Sequence, residues 1–267
     1  MDIRVVILGD GPGGLILANS LYRHRDQATK PFRITVIGRS ALHTYQAGFL
    51  FLPFHMRGYR KLEDFQKKNR DLILPNIEYV TDTITRIDPD SKLVTTQRSG
   101  NYPYDFLVSA LGSRVVPEAI EGLSERLIEG QKVHTFYTPD GAMRLARALD
   151  GFSGGRLVIN IAEMPIKCPV APIEFACLAE DYLQKKGIRS KTEITMVTPL
   201  SGAFTKPVCN EVLTDVITEK KDIKVVPNFL LESVNDKAIR CFDGNEVPYD
   251  LLVSIPPHEG SDLLDES

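Results

Sequence analysis

Ile3-Arg4-Val5-Val6-Ile7-Leu8-Gly9-Asp10-Gly11-Pro12-Gly13-Gly14, running on into the small and apolar residues 15–19, decides the fold. A β-favouring apolar run ends on glycines at the G-x-G-x-x-G spacing, Gly9, Gly11 and Gly14, and a helical pattern begins at once. Each glycine has a task. Gly9 permits the sharp exit from the strand, Gly11 lets a pyrophosphate approach the backbone, and Gly14 lets the helix pack closely on the sheet. The diphosphate then meets the positive end of the helix. The spacing alone does not choose between FAD and NAD, and glycines also punctuate ordinary strand-to-helix turns.

Outward from this cradle, the first helix is expected to reach about His24, and residues 33–37 read as a second strand. Dinucleotide folds usually end that strand on Asp or Glu, which accepts hydrogen bonds from the adenosine ribose. Here Gly38 stands in that place, followed by Arg39 and Ser40. Arg39 then either meets the adenosine or a phosphate, or is a solvated loop cation. Residues 43–54 are dense in aromatic and apolar side chains, which suits the wall of a pocket for a flat ring, with core as the alternative. Residues 61–71 read as an exposed helix, and 77–80, 83–87, 92–97 and 104–110 as short strands.

An internal echo follows. Tyr102-Pro103-Tyr104-Asp105-Phe106-Leu107-Val108-Ser109 returns as Glu246-Val247-Pro248-Tyr249-Asp250-Leu251-Leu252-Val253-Ser254, each behind a charged hairpin. The chain is therefore expected to be α/β, with two Rossmann-like dinucleotide-binding units in three layers, a parallel sheet and a β-meander in each, the second placed after the first. The expected division is an FAD-binding unit over 1–115, a second, degenerate NAD(P)-type unit over 116–257, and the start of a C-terminal portion over 258–267. In the second unit, residues 138–150 read as a helix and 155–161 as the strand matching the opening one. No glycine turn follows that strand. Ala162-Glu163-Met164-Pro165-Ile166-Lys167-Cys168-Pro169-Val170-Ala171-Pro172 brings three prolines instead, whose rings and side chains block a pyrophosphate. What stands there is a cysteine at a helix N-terminus.

Composition narrows the classes. The 267 residues are 43% hydrophobic, and 32 basic against 35 acidic residues, with only short basic pairs, give no reason to expect nucleic acid. With neither a secretory signal nor a transmembrane-length apolar run, the expected location is the cytoplasm. Cys168, Cys177, Cys209 and Cys241 have no metal-ligand spacing, and neither do the histidines, so no metal is expected.

With the V-V-I-L-G-D-G-P-G-G opening, the T-V-I-G-R-S-A-L-H-T-Y-Q-A-G after the second strand, the Y-D-F-L-V-S-A-L-G before Ser113 and, most specifically, the K-C-P-V-A-P-I-E from Lys167, the chain resembles the sulfide:quinone oxidoreductases and the flavin subunit of flavocytochrome c sulfide dehydrogenase. The resemblance implies FAD as cofactor, with Gly9, Gly11, Pro12, Gly13 and Gly14 at its pyrophosphate, Arg39 near the adenosine, and Ala110 and Gly112 lining it. It implies that Cys168 is catalytic, passing two electrons from sulfide through FAD to quinone. The helix N-terminus and Lys167 would independently favour the thiolate there. Glu174 could accept a proton in that chemistry, or be an ordinary helix carboxylate.

Two departures accompany the resemblance. The exchange partner that the family gives such a cysteine is not identifiable: Cys177 lies too far along a helix, and Cys209 and Cys241 read as small apolar residues. The family's second flavin motif and its quinone- and membrane-facing helices would lie beyond Ser267, so peripheral attachment to the inner face of the cell membrane through that portion, and self-association, stay open. The chain as given is expected to hold FAD weakly and turn over little. The alternatives are an NADH:quinone-type flavoprotein reductase, disfavoured by the missing second glycine turn, and a non-catalytic adenine-nucleotide-binding remnant.

Overall fold

The computed structural model describes residues 2–265. The chain divides into two compact units, one of Met1–Thr44, Gln66–Arg114 and Gly260–Ser267, the other of Tyr45–Phe65 and Val115–Glu259.

In the first unit, Ile3–Leu8 lies between Phe32–Gly38 and Phe106–Ser109, with Glu78–Thr81 on the outer side of Phe32–Gly38, all parallel. The pleat of the opening strand sorts its side chains onto two faces. Ile7 packs with Leu15 and Ala18 of helix α1 (Pro12–Arg23) and with Ile34 and Val36. Val6 and Leu8 pack on the other face with Ile87 and Val94, which belong to the antiparallel ribbon Ile84–Asp88, Leu93–Thr96 and Asn101–Pro103. Helix, sheet and ribbon make the three layers.

The second unit repeats this plan. Its parallel strands run in the order Val133–His134, Leu251–Ile255, Gly155–Ile161, Thr192–Val197 and Ile223–Val226. Helices α2 (Leu123–Glu129), α3 (Pro139–Gly151), α4 (Ala171–Lys185) and α5 (Pro207–Asp215) accompany it. Leu157, Ile159 and Ile161 meet Leu145 and Leu149 of α3 and Phe175 and Ala179 of α4. Val158, on the opposite face, meets Leu231 and Ile239 of the ribbon Leu231–Val234, Ala238–Cys241 and Glu246–Pro248.

The echo in sequence is an echo in bonding. Asp105 accepts from the Arg4 amide at 2.8 Å and from its guanidinium at 3.1 Å through each oxygen. Asp250 accepts from the Arg156 amide at 2.8 Å and from its guanidinium at 3.0 Å in the same pattern. In each unit one bidentate pair ties the return strand to the first strand.

Local expectations differ from the structure in places. Residues 61–71 form no α-helix: 3₁₀ turns at Leu62–Phe65 and Asn69–Leu72 flank the strand Gln66–Lys68, which pairs with Leu42–Thr44. Strand pairing and the fully buried Asn69 side chain override the helical pattern there. Tyr45–Phe65 leaves the first unit because its aromatic side chains are core of the second, with Phe54 5.0 Å from Phe175 between ring centroids. Residues 260–265 return to the first unit, where Leu263 packs against its ribbon face.

Candidate functional site

The first unit carries the glycine cradle. Gly9 has φ +106°, and a Cβ on it would collide with the Ala110 carbonyl oxygen; one on Gly14 would collide with the Gly9 carbonyl oxygen. These two positions are closed by the protein itself. Gly11, the N-cap of α1, and Gly13 have nothing within 4 Å of an added Cβ, so the space beside these two positions at the helix start is open. Open space at the N-terminus of a helix suits an anionic group.

Beside the cradle lies a cavity of about 380 Å³ reached by Gly9, Asp10, Gly38, Arg39 and Gly112 among others. Of the residues expected at a cofactor, Gly9, Arg39 and Gly112 line this cavity; Gly11, Pro12, Gly13, Gly14 and Ala110 do not. Asp82 is on the same wall. Burial opposes its charge, but hydrogen bonds from Ser99, Arg98 and Thr83 outweigh burial and hold the carboxyl far below the usual carboxylate range.

Sequence reasoning passed over Asp10. Its Oδ2 accepts from Asn69 Nδ2 at 2.7 Å and lies 2.7 Å from the Tyr79 hydroxyl. Burial, and then the bond to Asp10, push Tyr79 up to about 12. A Cβ on Gly38 would collide with this carboxylate. The signal available in sequence was Gly38 itself, an acid missing where one normally stands.

The second unit holds an apolar pocket of about 300 Å³, lined by Tyr45, Gln46, Phe49, Phe51, Phe136, Tyr137, Lys167, Cys168 and Glu174 among others. The aromatic segment expected as the wall of a pocket and the cysteine singled out on chemical grounds thus share one cavity. Cys168 is exposed, with φ +54°, and stands two residues ahead of Val170, the N-cap of α4, rather than in the helix's first turn. Its carbonyl accepts from the Ala171 amide at 3.0 Å.

Tyr137 braces this turn, with Lys167 and His258 beside it. The Tyr137 hydroxyl donates to the Lys167 carbonyl at 2.8 Å and lies 3.3 Å from that of Cys168. Burial, and next the negative charge of a Cys168 thiolate, push the phenol up, so it remains a donor. Lys167 Nζ reaches Gln46 Oε1 at 3.4 Å, and burial pushes its ammonium down. His258 stacks edge-on against Tyr137 at 5.1 Å, and burial, then Lys167, lower its imidazole.

All four cysteines are free. Cys177 lies within α4, and burial pushes its thiol up. Cys241 is buried in the ribbon core, as its reading as a small apolar residue required, whereas Cys209 is exposed on α5, which overturns that reading for it. Helix α5 presents Val208 and Val212 outward as well, so this stretch is not buried.

A family model described as pyridine nucleotide-disulphide oxidoreductase matches residues 3–253. The chain belongs to that family. The mitochondrial sulfide:quinone oxidoreductase of Mus musculus is 26% identical over 272 residues, which are 99% of this chain and 58% of the mouse protein. The sulfide-quinone reductase of Aquifex aeolicus (strain VF5) is 28% identical over 277 residues, 99% of this chain and 60% of its own. The crystal structure of the sulfide:quinone oxidoreductase from Aquifex aeolicus superimposes with a TM-score of 0.82 at 24% identity, over 99% of this chain and 61% of that one. The chain spans about three fifths of the length of these relatives. Among the described residues no helix is long and apolar enough to cross a membrane.

Proposed function

We propose that this oxidoreductase binds FAD in its first unit and uses Cys168 of its second to oxidise sulfide, the electrons passing to quinone. The observation that carries the reading is the cavity around Cys168: a thiol in a left-handed turn, exposed to an aromatic-walled pocket beside a half-buried ammonium. The Aquifex and mouse relatives, named for sulfide and quinone, support the substrate class.

FAD fits the residues present, because Gly11 and Gly13 leave the start of α1 open. The amides of Gly11, Pro12's neighbour Gly13 and Gly14 would hold its diphosphate; Arg39 would meet the adenosine, and Ala110 and Gly112 would flank the cofactor. When bound, FAD supplies a two-electron acceptor. A Cys168 thiol and hydrogen sulfide together yield a persulfide, two protons and two electrons, so the protein must hold the sulfur and take up protons. Tyr137 keeps the Cys168 turn in place, Lys167 offers positive charge to an incoming hydrosulfide, and Glu174 at the pocket rim is placed to receive a proton.

The test is an anaerobic titration of FAD-loaded protein with sulfide. Bleaching of the flavin band, lost in Cys168→Ser while FAD remains bound, is the expected result. Bleaching that survives the substitution, or that NADH produces and sulfide does not, would overturn the reading.

A further inference from the structure

The strand Phe32–Gly38 ends on glycine where a carboxylate would ordinarily take the adenosine ribose, and the space beside that glycine is filled by the carboxylate of another residue. Asp10, between the first two glycines of the cradle, turns its side chain across the sheet end onto Gly38, and a Cβ at 38 would overlap Asp10 Cγ and Oδ2. The two positions exclude one another: an acid at 38 and an acid at 10 cannot both have this place.

The carboxylate is held, not loose. Asn69 is fully buried, its Nδ2 donates to Asp10 Oδ2 at 2.7 Å and to the Ser40 carbonyl at 2.9 Å, and the Tyr79 hydroxyl lies 2.7 Å from the same carboxylate oxygen. Among the described residues nothing donates to Oδ1, and Asp10 lines the 380 Å³ cavity together with Gly38 and Arg39. Oδ2 is thus anchored by two neighbouring side chains, and Oδ1, on a residue that lines the cavity, is left for a ligand.

The geometry points to Asp10 as the ribose-binding residue of this chain, accepting the adenosine hydroxyls through Oδ1 in place of the acid absent at 38. This rests on the FAD reading of the first unit and names the residue that selects a ribonucleotide there. A hydrogen bond to a charged acceptor is worth roughly tenfold or more in binding.

Calorimetric titration of the whole chain with ADP and with 2′,3′-dideoxy-ADP tests it, beside a measurement of FAD retention. The wild-type chain is expected to bind ADP about tenfold or more tighter than the dideoxy analogue, and Asp10→Ala to bind both alike. Relocating the acid, Asp10→Gly together with Gly38→Asp, should bring the discrimination back, while Gly38→Asp alone should weaken both ligands by crowding Asp10. Equal binding of the two nucleotides by a wild-type chain that retains FAD overturns the role of Asp10 and leaves the FAD reading standing. Failure of the wild-type chain to bind FAD or ADP at all overturns both.

Discussion

Substituting the cradle glycines one at a time separates those the fold needs from those the ligand needs. Gly9→Ala places a methyl group against the Ala110 carbonyl in a backbone at φ +106°. Strain of about 1–3 kcal/mol for the left-handed backbone and another 1–3 kcal/mol for overpacking predict a loss of roughly 2–6 kcal/mol in stability. Gly13→Ala behaves oppositely. Its methyl meets nothing in the protein, and alanine in the first turn of α1 should raise stability by up to about 1 kcal/mol. In the proposed FAD complex, which puts Gly13 at the diphosphate, that methyl would crowd the cofactor, and a cost of about 1–3 kcal/mol weakens FAD roughly 5- to 150-fold. Urea unfolding of the apoprotein measures the first quantity and flavin fluorescence titration the second. A Gly9→Ala variant as stable as the wild type, or a Gly13→Ala variant that binds FAD unchanged, would contradict these roles.

Other outcomes follow from the same geometry. Gly11→Val should yield protein without flavin, because a branched side chain fills the same opening; a yellow variant would contradict this. Phe175→Ala removes a fully buried ring stacked 4.9 Å from Phe136, and should cost about 3–5 kcal/mol in urea unfolding; a loss below about 1 kcal/mol would place the core elsewhere. Lys221→Met removes the ammonium that meets the buried Glu180 carboxylate at 2.7 Å and leaves it the Gln184 amide as donor, and should cost about 1–3 kcal/mol at neutral pH. The Arg4 and Arg156 side chains hold Asp105 and Asp250 down to about 2. Lowered carboxylates stabilise the fold above the unfolded value near 3.8 and lose that contribution as pH falls toward 2. The stability difference between wild type and Asp105→Asn or Asp250→Asn should therefore shrink between pH 4 and 2, and a constant difference would exclude these pairs as its source.

Sequence alone determined what depends on local pattern and on repetition. The apolar run ending at Leu8 and the glycine spacing after it are visible because that strand buries Val6, Ile7 and Leu8 on its two faces and the turn that follows needs Gly9, and the return strand ending at Ser109 is visible because its pattern recurs in residues 246–254. Cys168 was visible because prolines stand where its counterpart unit has glycines. Only the tertiary structure decided where Tyr45–Phe65 belongs, since an aromatic run has the same pattern whichever core receives it, and contact with Phe175 settles the matter. The same holds for residues 61–71, where pairing of Gln66–Lys68 with a distant strand outweighs helical propensity. Asp10 is the sharpest case: its identity is local, but its meaning depends on Gly38, Asn69 and Tyr79, brought to it from three separate stretches of chain. A side chain's neighbours across a sheet are set by register and packing, and those are properties of the folded chain.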